Sequence, residues 1–352
     1  MNAPAVLQSE TIRLADLRQA GEVARIERFV AEGGGTVFHR PVWLQAIERG
    51  TGQRALGLVA ERFGGITGWL PMSEVHSPLF GRMLASSGFA VAGGVLAEQK
   101  ATAVALCRAA EEQARRLSCA TIELRGGAAP GDWSRRNDSH CGFVAPLAEN
   151  REAQLLAVPR KQRAEIRKGL EADLEVRVGR EARDRADHYA VYAESVRNLG
   201  TPVFPRSLFD AVLDMLDADI LTVSHRGAPV ASVLSLYHTD AVLPYWGGGT
   251  TAARALRAND RMYFELMQHA RERGCGVFDF GRSKTGSGAF AFKKNWGFEP
   301  EPLSYASWTA PGAPPRDADP HSERHAARIA VWRKLPLSLA NRLGPMIARG
   351  LG

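Results

Sequence analysis

The sequence is poor in cysteine and has no long apolar run. Its four cysteines, Cys107, Cys119, Cys141 and Cys275, show neither CxxC spacing nor clustering with histidine. This pattern excludes the usual zinc motifs and a disulfide framework, and it is typical of a reducing compartment. No stretch approaches the roughly 18 apolar residues of a membrane-spanning helix, and the N-terminal segment lacks a basic region followed by an apolar core. We therefore expect a cytoplasmic protein without a bound metal.

Acidic residues are outnumbered by basic ones. The chain has 45 Lys and Arg against 38 Asp and Glu, a formal net charge of +7. This surplus favours anionic partners: phosphorylated carriers, RNA including tRNA, or an acidic membrane surface. The 352 residues, 45% of them hydrophobic, are enough for two domains of about 150 residues each.

An ordered series of matches indicates an internal duplication. Residues 114–125 and 270–281 align without a gap at an offset of 156 (270 minus 114), which pairs Cys119 with Cys275. A weaker match near Val37 and Val203 precedes it, and each half then reads helix, hairpin, further strand, helix, strand. Helices interleaved with hairpins predict an α+β fold with mixed, partly antiparallel sheets and flanking helices.

The order of these elements predicts three segments. Residues 1–150 form the first copy and 151–308 the second. Residues 309–352 form a Pro-rich linker, up to about Ser322, and a basic amphipathic tail. The tail either rests on an anionic membrane, which would make the protein peripheral to the inner membrane, or docks on its own protein.

The segment 277–300 contains more structural signals and candidate site residues than any other part of the chain. It predicts a short strand over 277–280, a glycine loop over 281–288 and a new ordered segment from Phe290. Four cations fall within or beside the loop: Arg282, Lys284, Lys293 and Lys294. Such a cluster suits a developing oxyanion or a phosphate, although a solvated surface loop is the alternative. The loop lacks the terminal Gly-Lys-Ser/Thr of a P-loop, which argues against a nucleoside triphosphatase.

Other candidate binding residues lie earlier in the second half. A helix beginning near Pro159 places Arg163 and Arg167 on one stripe with Arg160, where they bind a phosphorylated carrier or tRNA, or are simply solvated. Asn198 and Thr201, in a turn punctuated by Gly and Pro, are suited to hydrogen-bond a sugar or peptide.

Two aromatic residues, Tyr245 and Trp246, stand before three glycines. They are expected to form an apolar wall of the same cleft, or to pack in the core.

Three motifs of the second half carry a resemblance to a known family: FDFGRSK (278–284), GAFAFKKNWGFEP (288–300) and RNLGTPVFP (197–205). They resemble the FemAB family, whose members have two tandem GNAT-like (N-acetyltransferase-type, also termed BioF2-like) domains. More narrowly, they resemble the FemAB proteins associated with PEP-CTERM and exopolysaccharide systems. The resemblance covers most of the chain, is specific in the second half and is weak in the first, whose domain is expected to be degenerate.

The resemblance implies an acyl transfer. Family members transfer an aminoacyl group from charged tRNA to an amine of a peptidoglycan precursor, and related domains use coenzyme A thioesters. We therefore expect an N-acyl or aminoacyl transferase acting on an amino sugar or a cell-envelope or exopolysaccharide precursor. The alternative is a catalytically silent protein that binds a glycan or carrier within an exopolysaccharide assembly system.

The resemblance also implies residue roles. Phe292-Lys293 stands where the family has an aromatic-Lys pair, so Lys293 is expected to stabilise the oxyanion or a carrier phosphate, with Phe292 beside the substrate. Asp279 is expected to orient Arg282 or to accept a proton; the alternative is a structural tie shared with its counterpart Glu123.

The donor is left open between aminoacyl-tRNA and another acyl carrier. Acetyltransferases hold the pyrophosphate of coenzyme A on a glycine loop that leads directly into a helix N-terminus. Here the glycines 247–249 come too early and none stands next to the helix. The sequence therefore disfavours acetyl-CoA.

Overall fold

The computed structural model describes residues 10–77, 81–314 and 326–351. Its helices are α1 (Ala20–Glu32), α2 (Pro41–Thr51), α3 (Lys100–Arg116), α4 (Arg151–Ala157), α5 (Arg160–Glu171), α6 (Ala182–Leu199), α7 (Arg206–Met215), α8 (Ala253–Leu256), α9 (Ala258–Glu272), α10 (Gly288–Asn295), α11 (Ala326–Lys334) and α12 (Leu337–Ala348).

Its strands are β1 (Thr11–Leu14), β2 (Arg54–Arg62), β3 (Gly65–Ser77), β4 (Gly81–Ser86), β5 (Leu96–Ala97), β6 (Thr121–Arg125), β7 (Ser134–Arg136), β8 (His140–Gly142), β9 (Val144–Pro146), β10 (Glu175–Gly179), β11 (Ala218–His225), β12 (Ala228–His238), β13 (Ala241–Gly249), β14 (Val277–Asp279), β15 (Ser283–Lys284), β16 (Glu301–Pro302) and β17 (Tyr305–Thr309).

The chain forms two compact units that repeat one strand order. The sheet of the first unit runs β1-β2-β3-β4-β6-β17-β7, with β5 paired to β3, and that of the second runs β10-β11-β12-β13-β14-β9. In each sheet the fourth and fifth strands, β4 with β6 and β13 with β14, are parallel, and the other pairs are antiparallel. The predicted α+β fold of two tandem copies with mixed sheets is confirmed.

The units divide the chain elsewhere than at the predicted residues 150 and 308. Residues 137–150 belong to the second unit and 304–314 to the first. The reason is strand pairing: β9 lies beside β14, while β17 inserts between β6 and β7. In each sheet, one strand next to the parallel pair therefore comes from a segment that a division of the sequence into successive halves assigns to the other unit.

The helix-to-strand junctions repeat atom for atom. Cys119 donates its backbone N–H to the Ala114 carbonyl, and Cys275 donates likewise to the Ala270 carbonyl. The residue before each cysteine has a positive φ, 55° at Ser118 and 89° at Gly274. This is the hydrogen-bonding pattern of a helix C-terminus closed by a left-handed residue. It occurs at both of the junctions that the 156-residue offset aligns.

The tail packs on the second unit. Helices α11 and α12 both contact α6, and residues 326–349 belong to that unit rather than to a separate module. The predicted linker, up to Ser322, lies mostly outside the described residues. The tail was expected either to rest on a membrane or to dock on its own protein, and one face of α12 is buried against its own unit.

Candidate active site

The sheet of the second unit opens between its parallel strands. Strands β13 and β14 pair only at Ala241 with Val277 and at Val242 with Phe278. Beyond this point β13 continues to Gly249. The chain after β14 stays beside the segment that leads into β9, on the other side of β14, because Phe280 donates its N–H to the Phe143 carbonyl at 2.8 Å. The second half of β13 and the glycine loop therefore diverge, and we call the space between them the cleft.

A β-bulge shapes one wall of this cleft. Leu234 pairs with Trp246, but the next residue, Ser235, pairs with Pro244. Tyr245 is therefore the extra residue, and such a bulge bends its strand and increases the local twist. The bulge lies where β13 leaves β14, so it helps to hold the cleft open.

An aromatic cluster forms the base of the cleft. The ring of Tyr263, on α9, lies 4.7 Å from the ring of Phe280, 5.7 Å from Phe292 and 6.3 Å from Trp296, measured between centroids. Edge-to-face contacts of this kind add to the stabilisation from apolar burial. The cluster packs α10 against α9 and so positions Lys293, which follows Phe292 on α10.

Helix α10 delivers Lys293 to the glycine loop. The helix begins at Ser287, whose side-chain oxygen accepts the N–H of Phe290. Lys293, only 8% exposed, donates from Nζ to the carbonyl oxygens of Gly281 and Arg282, both at 3.0 Å. The rings of Phe143 and Phe280 flank the ammonium, each centroid 5.4 Å from Nζ.

Burial changes the proton affinity of the two ionisable groups at the loop. Loss of solvent lowers the pKa of Lys293 to about 8, against the opposing attraction of the Asp279 carboxylate. Burial raises the pKa of Asp279, although the Gly281 N–H and Lys293 both stabilise its charged form. Lys293 is therefore still mainly protonated at neutral pH.

The ammonium of Lys293 has one donor to spare. A lysine ammonium has three N–H bonds, and two are taken by the carbonyls of Gly281 and Arg282. Within the described residues no partner occupies the third. A fixed cation in a water-poor site stabilises an acceptor that gains negative charge, as the carbonyl oxygen does when an amine attacks it.

This arrangement predicts the pH dependence of turnover. If Lys293 acts as a cation, the ratio of wild-type kcat to that of Lys293→Arg should be constant below about pH 7 and fall as pH rises through about 8, where the lysine loses its proton. The arginine stays charged over this range, so the ratio cancels the titration of the acceptor amine. A ratio that rises through pH 8 would instead make Lys293 a proton acceptor.

The structure brings five predicted residues together around the glycine loop. Asp279, Arg282, Lys284, Phe292 and Lys293 lie on β14, the loop, β15 and α10. The carboxylate of Asp279 accepts the N–H of Gly281 at 2.9 Å and so ties the end of the strand to the turn. This contact agrees with the alternative that Asp279 has a structural role. Arg282 and Lys284 are half-buried.

The other predicted binding residues lie on other elements of the second unit. Trp246 is buried, and its ring centroid lies 5.0 Å from that of Phe209 on α7. This packing agrees with the alternative that Trp246 belongs to the core. Asn198 is exposed and donates to Thr251 Oγ1, at 3.5 Å, in the loop after β13. Half-buried Thr201 donates its backbone N–H to Val196 and so closes the end of α6.

The two predicted arginines of α5 differ. Arg163 donates through Nη2 to the carbonyls of Leu156 and Val158, at 2.8 and 3.0 Å, and so satisfies the end of α4. Arg167 is exposed and has no partner in the part of the chain that the structure describes. Of these two arginines, Arg167 is the one left available to a phosphate.

Sequence reasoning missed two residues, one beside Lys293 and one beside the loop after β13. Phe143, which contacts the Lys293 ammonium, lies in the alternating run Cys141, Phe143, Ala145, a strand pattern that was assigned to the first domain. Glu194, on α6, accepts both the N–H and the hydroxyl of Thr251. No sequence signal marks it, because its partner is 57 residues away.

The corresponding position in the first unit is closed. Strands β4 and β6 pair at three positions, up to Ala85 with Glu123. The Arg125 side chain, 4% exposed, then donates from Nη1 to the carbonyls of Ser87 and Ala90 in the chain after β4. Because a buried arginine fills this space, the described part of the first unit has no counterpart of the cleft.

Among the described residues, no group of three or more His, Cys, Asp or Glu is placed to hold a metal ion. In the same residues, no helix combines the length and apolar character needed to cross a membrane.

Comparisons with known proteins agree with this fold. Residues 159–294 match the family model described as an acetyltransferase (GNAT) domain. No curated protein matches the chain. Among solved structures, FemX is similar with a TM-score of 0.62 at 14% identity, over 81% of this chain and 95% of that one.

Two further solved structures are similar over most of this chain. A tandem GNAT protein of clavulanic acid biosynthesis has a TM-score of 0.59 at 12% identity, over 87% of this chain and all of that one (100%). The L-PGS of Bacillus licheniformis has a TM-score of 0.52 at 14% identity, over 88% and 96%. The chain therefore has the fold of GNAT acyltransferases, present twice in tandem.

Proposed function

We propose that the protein is a FemAB-like N-acyl or aminoacyl transferase that acts on the amine of an amino sugar or of a cell-envelope or exopolysaccharide precursor. One observation carries the proposal: a cleft between splayed parallel strands with the buried Lys293 ammonium at its edge. Attack of an amine on an activated carbonyl needs two substrates held together and a charge opposite the developing oxyanion. The cleft and Lys293 supply these two requirements.

The proposed roles follow from the positions of the side chains. Lys293 donates its third N–H to the carbonyl oxygen of the donor and stabilises the negative charge that forms there. Arg282 and Lys284 lie on the same loop and attract the phosphates of the donor or acceptor. Asp279 holds the loop turn through Gly281 and, by its charge, keeps Lys293 protonated.

The loop after β13 supports a donor other than acetyl-CoA. In this loop the N–H of Thr251 is already accepted by the Glu194 carboxylate at 2.9 Å. The first turn of α9 contains Asp260, a buried carboxylate that accepts from Gln162. A pyrophosphate needs free N–H groups and no adjacent anion at a helix N-terminus, so both carboxylates oppose its binding.

Aminoacyl-tRNA and a phosphorylated acyl carrier remain as donors in this proposal. The net charge of +7 and exposed cations such as Arg167 favour a polyanion. The names of two similar structures, FemX and L-PGS, are in keeping with aminoacyl transfer, and the tandem GNAT name is in keeping with acyl transfer in general. An exopolysaccharide or PEP-CTERM context for the acceptor belongs to the same proposal.

A donor panel tests the proposed activity. Purified protein is incubated with a labelled mixture of aminoacyl-tRNAs or with labelled acetyl-CoA, each with UDP-linked amino sugars, and products are identified by mass spectrometry. We expect transfer from aminoacyl-tRNA to the sugar amine. In calorimetric titration, acetyl-CoA should show no saturable binding. Saturable acetyl-CoA binding together with acetyl transfer would overturn the donor assignment and keep the reaction class.

A second function has one specific observation in its favour. Lys293 is held by two main-chain carbonyls of its own loop, which equally suits a lysine that only fixes the loop of a binding protein. The second candidate is thus a catalytically silent glycan- or carrier-binding protein of an exopolysaccharide assembly system. Mass spectrometry of small molecules retained on the purified protein separates the two: an unmodified glycan without turnover by any donor favours binding alone.

A further inference from the structure

Helix α12 packs through its smallest side chains. Its buried residues are Ala340, Gly344 and Ala348, spaced four apart. A Cβ on Gly344 would lie 2.9 Å from the backbone nitrogen of Val203, so the helix lies directly on this part of the second unit. An amphipathic helix of a globular protein normally buries its large apolar side chains instead.

Four large apolar side chains of the described tail are exposed, whereas Ile329, Trp332, Leu335, Leu337 and Ile347 are half-buried. Leu339, Leu343 and Met346, at spacings of four and three, form the outer face of α12, and Met346 is 68% exposed. On α11, Val331 is 64% exposed, and Leu199 at the end of α6 is exposed as well. We call these five residues the apolar ridge.

The ridge residues of α11 and α6 are neighbours. Arg333 of α11 donates from Nη2 to the Leu199 carbonyl at 3.2 Å, and Arg197 of α6 donates to the Arg333 carbonyl at 3.3 Å. Ile329 packs against Gly200, where a Cβ would lie 2.4 Å from its Cγ2 atom. The tail is thus fixed to the unit, and its outer face is left to solvent.

The charge of the tail favours an anionic partner for this face. Residues 326–351 contain five cations, Arg328, Arg333, Lys334, Arg342 and Arg349, and no Asp or Glu. Lys334 and Arg342 are exposed. Apolar side chains interspersed with cations, without any acid, match the interface of a bilayer that contains anionic lipids.

We propose that the apolar ridge and its flanking cations dock on the surface of a membrane with anionic lipids. Leu339, Leu343 and Met346 enter the boundary between headgroups and acyl chains, while Lys334 and Arg342 contact lipid phosphates. Stable peripheral binding generally needs two signals, here apolar burial and charge. Docking does not depend on the acyl transfer proposed above, and its test requires no turnover.

Vesicle sedimentation with the full chain tests the docking. Vesicles of phosphatidylcholine are compared with vesicles of equal parts phosphatidylcholine and phosphatidylglycerol. We expect at least about tenfold stronger partition to the anionic vesicles, and less of it as salt is raised, because salt screens the attraction. Equal partition to both kinds of vesicle would overturn the proposal.

Two sets of variants locate the contact. The triple variant Leu339→Ser, Leu343→Ser, Met346→Ser should lose detectable partition. Lys334→Gln with Arg342→Gln should lower it about 25-fold, since each cation near an anionic surface contributes about fivefold.

Matched controls come from exposed residues of other surfaces. Phe63→Ser with Leu156→Ser, and Arg62→Gln with Arg226→Gln, should leave partition unchanged. Circular dichroism confirms that all variants fold. A further outcome is that the wild type fails to bind anionic vesicles and instead forms dimers that the triple variant does not form. That result would assign the ridge to contact between copies and overturn docking on lipid.

Discussion

Replacing Lys293 by alanine should lower kcat by about 100-fold or more, because removal of one preorganised charge donor at a reacting carbonyl typically costs this much. The matched control is Lys294→Ala, the adjacent lysine on α10, which is exposed and should leave kcat unchanged within about twofold. The measurement is steady-state kinetics with the donor and acceptor found in the panel. Unaltered turnover in Lys293→Ala would remove the residue from the mechanism.

The stability of a Lys293 variant separates catalysis from folding. The folded-state pKa of Lys293, about 8, lies below the ordinary value of 10.5, so folding disfavours the protonated lysine. This destabilisation of the folded state is fully present below pH 8 and vanishes above about pH 10.5. Lys293→Met removes the ammonium and keeps most of the apolar stem. We expect its free energy of unfolding at pH 7 to equal or exceed that of the wild type, as found for functional residues held in unfavourable environments. An inactive variant with a markedly lower free energy of unfolding would indicate a structural lysine.

Replacing Arg125 by alanine should destabilise the first unit by about 3 kcal/mol. The guanidinium satisfies the buried carbonyls of Ser87 and Ala90 and an ion pair with Glu123 at 2.8 Å. Its removal leaves buried acceptors without donors, at about 1–3 kcal/mol each, and an empty volume. Amide hydrogen exchange of β6 reports this unit specifically, because its protection measures the local opening free energy.

The control for this change is Arg116→Ala on α3. Arg116 pairs with Glu112 four residues earlier, and both side chains are more than half exposed. Exposed pairs of this kind contribute about 0.2–1 kcal/mol. A change below 1 kcal/mol in Arg125→Ala would mean that solvent enters the space between β4 and β6, and that the first unit retains a cleft.

Local sequence signals predicted the elements around the site closely. Helix α9, Ala258–Glu272, buries Met262, Leu266 and Met267 at helical spacing and ends just before Gly274, in agreement with the helix of the predicted element order. Periodicity of 3.6 residues and a glycine stop are properties of the chain itself. The repeated junction at Cys119 and Cys275 was visible for the same reason.

Long-range pairing could not be predicted in this way. The exchange of β9 and β17 moved both unit boundaries, because a strand of three to five residues carries too little pattern to identify its partner. Trp246 was expected to line a cleft or to pack in the core, and Arg163 to bind a phosphate or to be solvated. In the structure Trp246 packs on Phe209 and Arg163 donates to carbonyls at the end of α4. A side chain that is suited to binding is equally suited to packing or capping, and only its neighbours distinguish the two.

The sequence by itself determined the fold class, the duplication, and the glycine loop with the ordered segment after it that contains Lys293, since these depend on local periodicity, glycines and motif order. The tertiary structure decided three further features. They are the splay of β13 from β14, the burial that lowers the pKa of Lys293, and the outward orientation of the large apolar residues of α12. Each of these depends on which distant segments pack together, and therefore on desolvation and pairing energies that no local pattern contains.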